Sequence, residues 1–269
     1  MPHLVAITTL DDSRVSDYQH LMDPAQLVAR GLFVAEGRLV VRQLLNLPRW
    51  QLHSILLTAA TAENLGDVLQ LTNAPVYVVA QALMNDIAGF NIHRGCLALA
   101  RRPVVVTLDR IAAGPLSRVL VLEGVNNPDN IGGLFRTAAA FGVDLVVLGP
   151  SCGDPLYRKA IRTSMASTLV VPFVTAPQWP GAIDDLRTDG FTVAALTPRH
   201  DALPLRDLPR HAKLALLVGA EGDGLTEPAM AVSTIRVCIP MTAAMDSLNV
   251  TTAASIAMYH CWQESRGIR

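Results

Sequence analysis

Three short stretches of the chain pair a permissive backbone with polar groups able to do chemistry. They are Asn126-Asn127-Pro128-Asp129-Asn130-Ile131-Gly132-Gly133 with Arg136, then Gly219-Ala220-Glu221-Gly222-Asp223-Gly224-Leu225, then Ile239-Pro240-Met241 leading to Ser247-Leu248-Asn249-Val250. Each follows a short apolar run that reads as a strand. Glycine lets backbone amides approach a ligand closely and asparagine tolerates tight turns, so loops of this kind build binding sites.

In the first stretch Ile131, Leu134, Phe135, Ala138 and Ala139 fall at helical spacing and form a buried stripe, with Arg136 off it. Gly132 and Gly133, one turn earlier, leave room for the guanidinium near a helix amino end, which suits a phosphate or a nucleotide hydroxyl. The competing reading makes Asn130 a helix cap and Arg136 a solvated charge. The second stretch has the spacing Gly-x-x-Gly-x-Gly, reversed from the dinucleotide fingerprint; Pro228 begins only a short helix, and no phosphate-loop motif occurs. A simple tight turn competes with a site, and Glu221 is either a solvated turn residue or a fixed acceptor. In the third, Ser247 and Asn249 are site groups or helix caps. Val250, Ala253, Ala254, Ala257 and Cys261 give the following helix a face of mainly small residues for a close helix partner, internal or from a second subunit. Tyr157-Arg158-Lys159 with Arg162 is the densest basic cluster, a phosphate contact or a solvated helix face. The seven histidines are scattered and none has a second histidine at i+3 or i+4, which argues against a metal, and no Ser-His-Asp arrangement supports hydrolysis.

The elements that must position these loops alternate strand and helix. A break near Arg101-Arg102-Pro103 divides residues 1–30, a helical lead-in starting a helix at Asp23-Pro24, and 31–103, a small α/β domain, from 104–269. The first domain shows strands at Phe33–Gly37, Ser54–Leu57, Val76–Val79 and Leu97–Ala100, with helices at Arg38–Leu47 and Thr61–Gln70. The second shows strands at Val104–Leu108, Val119–Leu122, Leu145–Leu148, Thr192–Leu196, Leu214–Val218 and Ile235–Ile239, and helices at Ile131–Phe141, Gly181–Thr188 and Asn249–Gln263. Strands apolar on both faces and separated by helices predict an α/β sandwich around a covered parallel sheet.

Composition bounds the function. The chain has 269 residues, 51% hydrophobic and 17% charged, enough for a well-cored protein. No apolar run reaches the ~18 residues of a membrane span, and the first residues lack a basic segment followed by an apolar core, so export is not expected. Cys96, Cys152, Cys238 and Cys261 form no Cys-x-x-Cys pair, which suggests reduced thiols, a cytoplasmic protein and no zinc site. The 22 Lys and Arg against 23 Asp and Glu leave a net charge of −1, less basic than a dedicated nucleic-acid binder.

In order and flanking strands, the three loops resemble the three signature motifs of the SpoU-type (TrmH-like) RNA 2′-O-ribose methyltransferases of the SPOUT superfamily. Val125 to Gly132 with Arg136-Thr137-Ala138 and Phe141-Gly142 resembles the first motif, Leu217 to Leu225 the second, and Ile239-Pro240-Met241 with Ser247-Leu248-Asn249-Val250 the third. Phe33-Val34-Ala35-Glu36-Gly37-Arg38 and Gly95-Cys96-Leu97-Ala98-Leu99-Ala100 resemble the small ribosomal-protein-like substrate-binding domain that precedes many of these enzymes. The likeness runs from about residue 30 to 262; Ala243 departs from it, standing where the family commonly has glycine.

The resemblance implies a trefoil knot in the C-terminal domain, a homodimer formed through it, and S-adenosylmethionine bound mainly by backbone. It assigns Gly219, Ile239, Met241, Leu248, Leu196, Thr197, Gly222 and Asn249 to the cofactor. Arg136 stands nearest the reacting hydroxyl, with Asn130, Glu221, Ser247 and Asn249 around it. An arginine base is chemically awkward, so Arg136 is expected to orient the nucleotide while a phosphate oxygen or water takes the proton. The partner is RNA, with the appended domain favouring ribosomal over transfer RNA. A nucleotide-dependent oxidoreductase lacks its fingerprint spacing, and a non-catalytic ribosome-assembly factor has no need of Asn130, Arg136, Glu221 and Asn249 together.

Overall fold

Leucine-rich and β-branched runs with no polar face can be buried only when both sides of a sheet are covered. The computed structural model describes residues 4–21, 23–92, 95–103, 116–242 and 246–262; the strand expected at 104–108 and the departure at Ala243 lie outside the described residues. The chain divides into two units, Met1–Val104 with Leu156–Leu169, and Val105–Pro155 with Val170–Arg269.

The first unit holds β1 (Leu4–Ala6), β2 (Leu32–Glu36), β3 (Leu52–Leu57), β4 (Val76–Val78) and β5 (Cys96–Arg101) in the order β1-β4-β3-β5-β2. β1, β4 and β3 run parallel, while β5 is antiparallel to both β3 and β2. Residues 4–21 and 23–30 are built into this unit, where the sequence suggested a lead-in. β1 pairs with β4, and Val15, Tyr18, Leu21 and Leu27 pack into the core with Val34, Leu56 and Met84. The Tyr18 hydroxyl meets Ser54 Oγ at 2.9 Å, satisfying two buried polar groups. Asp23 caps the helix Pro24–Ala29 as expected. The helix expected over Thr61–Gln70 is instead two short ones, Ala59–Asn64 and Gly66–Leu69, interrupted beside a glycine.

The basic cluster lies in this unit too. Arg158, at the start of the helix Arg158–Thr163, pairs with Glu36 at 2.9 Å and lies over the Phe90 ring, 4.2 Å from its centroid. Arg158 is therefore a packed ion pair, neither a solvated charge nor an open phosphate contact.

In the second unit β6 (Arg118–Leu122), β7 (Leu145–Leu148), β8 (Phe173–Thr175), β9 (Thr192–Leu196), β10 (Leu203–Pro204), β11 (Leu214–Val218) and β12 (Ile235–Cys238) form one parallel sheet, ordered β10-β12-β9-β11-β6-β7-β8. β8 and β10, too short to stand out in the sequence, are its edges. Val119, Val121, Val147, Val193, Ala195, Ala215 and Leu217 join one buried core with the helix Gly181–Thr188. The order places β12, β9, β11 and β6 side by side, so the loops at their carboxyl ends are neighbours, where open α/β sheets bind ligands.

Among the described residues no helix is long and apolar enough to cross a membrane, and no three His, Cys, Asp or Glu side chains cluster as a metal site. Burial pushes the thiol of Cys96 up to about 12 and that of Cys261 up to about 11, so both are protonated near neutral pH.

Candidate functional site

The first loop leaves β6 and enters the helix Pro128–Ala140. Asn127, not Asn130, caps it: its Oδ1 accepts from Asp129 N–H at 2.8 Å, and Pro128 supplies a preset first turn. Asn130 therefore sits inside the helix, 8% exposed, with its amide free for another partner. Ile131, Leu134, Phe135 and Ala138 are buried as their spacing predicts, and Arg136 is exposed.

Gly133 of this helix does a different job from the one expected. A Cβ on Gly133 would lie 2.7 Å from Thr251 Cγ2 and 3.1 Å from Thr251 Oγ1, so the missing side chain admits the last helix, Val250–Trp262. Thr137 Oγ1 and Ser255 Oγ meet at 3.0 Å along the same seam. Val250, Ala254 and Ala257 of the last helix are buried against the unit's interior. That small-residue face is thus used internally.

The second loop closes on itself. Gly224 N–H donates to Ala220 O at 3.1 Å, and Gly222 and Gly224 take left-handed φ values of 88° and 70°. Gly219 admits no other residue, since a Cβ there would stand 2.3 Å from Gly224 C and 2.5 Å from Leu225 N, both backbone atoms.

The third loop reaches the last helix through Asn249, which is a helix cap and more. Its Oδ1 accepts from Thr251 N–H at 2.9 Å and Thr252 N–H at 3.3 Å. Its Nδ2 donates to Asn130 Oδ1 at 3.0 Å and to Glu221 Oε1. One amide therefore joins all three loops, and Glu221 is a fixed acceptor.

The second and third loops, with the end of β9, wall a cavity of about 360 Å³. β9 contributes Leu196 and the buried Thr197; the second loop contributes Gly219, Glu221 and Gly222; the third contributes Ile239, Met241, Ser247, Leu248 and Asn249. Asn130 touches this group through Asn249. Arg136 lies outside the lining and, exposed, makes no ion pair or hydrogen bond with a described residue. Pro198 in the wall was not singled out from the sequence; Val218, Ala220, Gly224, Val250 and Ala253 also line it and belong to the motifs and the last helix named there, though they were not assigned to the cofactor. Sequence reasoning also missed Glu123, buried just after β6, whose one signal was an acid following the apolar run Val119–Leu122.

The cavity has apolar side chains from Leu196, Ile239, Met241 and Leu248, a hydroxyl at Thr197, and glycine backbone on one side. Its volume falls in the range of roughly 300–1,000 Å³ typical of small-molecule sites. An adenine face, a ribose and a charged amino-acid end would each find suitable groups there.

A family model described as the SpoU rRNA Methylase family matches residues 117–259. An uncharacterized tRNA/rRNA methyltransferase of Mycobacterium tuberculosis is 41% identical over 256 residues, 93% of this chain and 88% of that one. The 23S rRNA (guanosine(2553)-2′-O)-methyltransferase of Bacillus subtilis is 33% identical over 143 residues, 53% of this chain and 57% of its own. An AdoMet-bound rRNA methyltransferase from Sinorhizobium meliloti shares the fold, with a TM-score of 0.83 at 21% identity, covering 98% of this chain and 99% of that one.

Proposed function

The chain belongs to the SpoU rRNA methylase family, and from that premise we propose that it is an S-adenosylmethionine-dependent methyltransferase acting on a ribose 2′-hydroxyl of RNA, ribosomal RNA before transfer RNA. The observation that carries this reading is the Asn249 amide in the cavity wall, which ties Asn130 to the lining residue Glu221. The 2′-O position and the preference for ribosomal RNA draw support from the motif resemblance and from the named specificity of the Bacillus subtilis relative.

Gly219, Gly222, Leu196, Thr197, Ile239, Met241, Leu248 and Asn249 would hold S-adenosylmethionine, which when bound supplies an electrophilic methyl group. The chain's part is chiefly to position a weak nucleophile and fix its surroundings. Arg136 binds and orients the nucleotide through its positive charge, since an arginine base is chemically awkward. The hydroxyl proton passes to water or a phosphate oxygen. Asn130, Glu221, Ser247 and Asn249 hold the loops that meet the ribose.

The proposal includes a trefoil knot, supported by the placing of the late strand β12 between β10 and β9. Pulling the unfolded chain by its ends should give a contour length shorter than that of an unknotted chain of equal size. It also includes a homodimer, supported by Ile256 and Tyr259 standing exposed on the last helix and checked by sedimentation, and a cytoplasmic location, supported by four cysteines without a Cys-x-x-Cys pair and checked by cell fractionation.

Methyl incorporation into total RNA, followed by mapping of 2′-O-methyl groups lost when the protein is removed, tests the function. Arg136→Ala is expected to abolish methylation while S-adenosylmethionine still binds. Retained activity would remove Arg136 from the mechanism.

A further inference from the structure

Glu123 is 3% exposed, and no step of the proposed chemistry uses it. Burying a carboxylate is costly unless its bonds are made, so its contacts show what it is for. Its backbone N–H donates to Val218 O at 3.0 Å, one residue before Gly219. Its side chain accepts from Thr226 N–H at 2.9 Å, the Thr226 hydroxyl at 2.7 Å and the Trp179 indole N–H at 2.6 Å. The residue therefore grips the 219–225 turn at both stems, by backbone where the turn begins and by side chain where it ends.

The grip is itself held. A Cβ on Gly149 would lie 3.0 Å from the Trp179 ring and 2.8 Å from Leu122 O, so glycine there lets the indole sit against the end of β6 and β7. Gly124, at φ 70°, brings the neighbouring backbone close enough that a Cβ would meet Ala220 Cβ at 3.1 Å. Ala220, Gly222 and Gly224 line the cavity between the two gripped stems.

We propose that Glu123 is a positioning residue for cofactor binding: by clamping both stems of the 219–225 turn it sets the shape of that wall of the cavity. This rests on reading the cavity as the S-adenosylmethionine site. All three side-chain partners are donors, so a glutamine at 123 would turn an N–H toward one of them and loosen the turn without emptying the site.

Glu123→Gln, Thr226→Val and Thr226→Ser in the full chain test this. In the ligand-free protein, Glu123→Gln should speed hydrogen exchange at the Thr226 amide by about tenfold or more, with the β11 amides unchanged. The KM for S-adenosylmethionine should rise about tenfold in Glu123→Gln and Thr226→Val, with kcat and the KM for RNA held within about twofold. Thr226→Ser, which keeps the hydroxyl, should restore the normal KM. Unchanged exchange overturns the clamp, and faster exchange with an unchanged cofactor KM overturns its role in binding. If the unaltered chain fails to bind S-adenosylmethionine by calorimetry, the cofactor reading falls and this role with it. The exchange result then shows whether the clamp itself was also wrong.

Discussion

Replacing Asn249 by aspartate, serine and alanine separates the capping of the last helix from the joining of the three loops. Asn249 Oδ1 accepts two amides at the helix start, and its Nδ2 serves Asn130 and Glu221. Loss of a cap costs about 1 kcal/mol. A buried carbonyl left without a donor, as at Asn130, costs about 1–3 kcal/mol. Asn249→Ala loses both and should lower the unfolding free energy by roughly 2–4 kcal/mol. Asn249→Asp keeps an acceptor for the cap and favours the helix dipole, but sets a second carboxylate beside Glu221; between exposed charges this repulsion is only about 1 kcal/mol. Denaturant midpoints should therefore rank the unaltered protein first, then aspartate and serine, then alanine. Methyl transfer should not follow that ranking, because all three variants lack the amide donor. Each should fall about 100-fold or more in kcat/KM, the scale seen when one preorganised donor is removed. If the aspartate variant recovers activity in step with its stability, Asn249 is a helix cap and the joining of the loops has no part in function.

Gly219→Ala would set a methyl group 2.3–2.5 Å from backbone atoms of Gly224 and Leu225, and the turn must open to accept it. Calorimetry should show S-adenosylmethionine binding weakened about 30-fold or more, the equivalent of about 2 kcal/mol. Gly133→Ala should destabilise the second unit by about 1–3 kcal/mol through its contact with Thr251, and adding Thr251→Ala should recover most of the loss in thermal unfolding.

The strands were legible because local pattern determines them. Leu145–Leu148, Thr192–Leu196 and Leu214–Val218 form where their apolar runs lie, since such runs have no polar face to leave in water. The missing strands, β1, β8 and β10, are two or three residues long and stand at sheet edges, too short to carry a period. Helix stripes were equally plain, and Arg136 lies off its stripe as expected. The packing of the opening segment was not legible, because Val15 and Tyr18 of the 3-10 helix Ser13–His20, and Leu21 after it, recur at threes and only the folded unit shows what they pack against.

The site was legible in a different way. Each loop by itself admitted a structural reading, and for two of them that reading is also true: Asn249 caps a helix and Gly219 to Gly224 make a tight turn. At Asn249 the structural reading does not compete with the proposed one, because the atom that caps is Oδ1 and the atom that joins the loops is Nδ2 of the same side chain. What no local rule could supply is adjacency. Asn130 and Asn249 are 119 residues apart, and Gly133 faces Thr251 only because the last helix returns beside the helix after β6. A glycine read locally leaves space for the nearest bulky side chain on its own helix; read in three dimensions, it leaves space for whichever chain comes closest. The same limit hid Glu123, whose partners Trp179 and Thr226 lie 56 and 103 residues away. Residues that touch a ligand can announce themselves by type, whereas residues that hold a loop in place are identified by their partners, and those partners exist only once the sheet has formed.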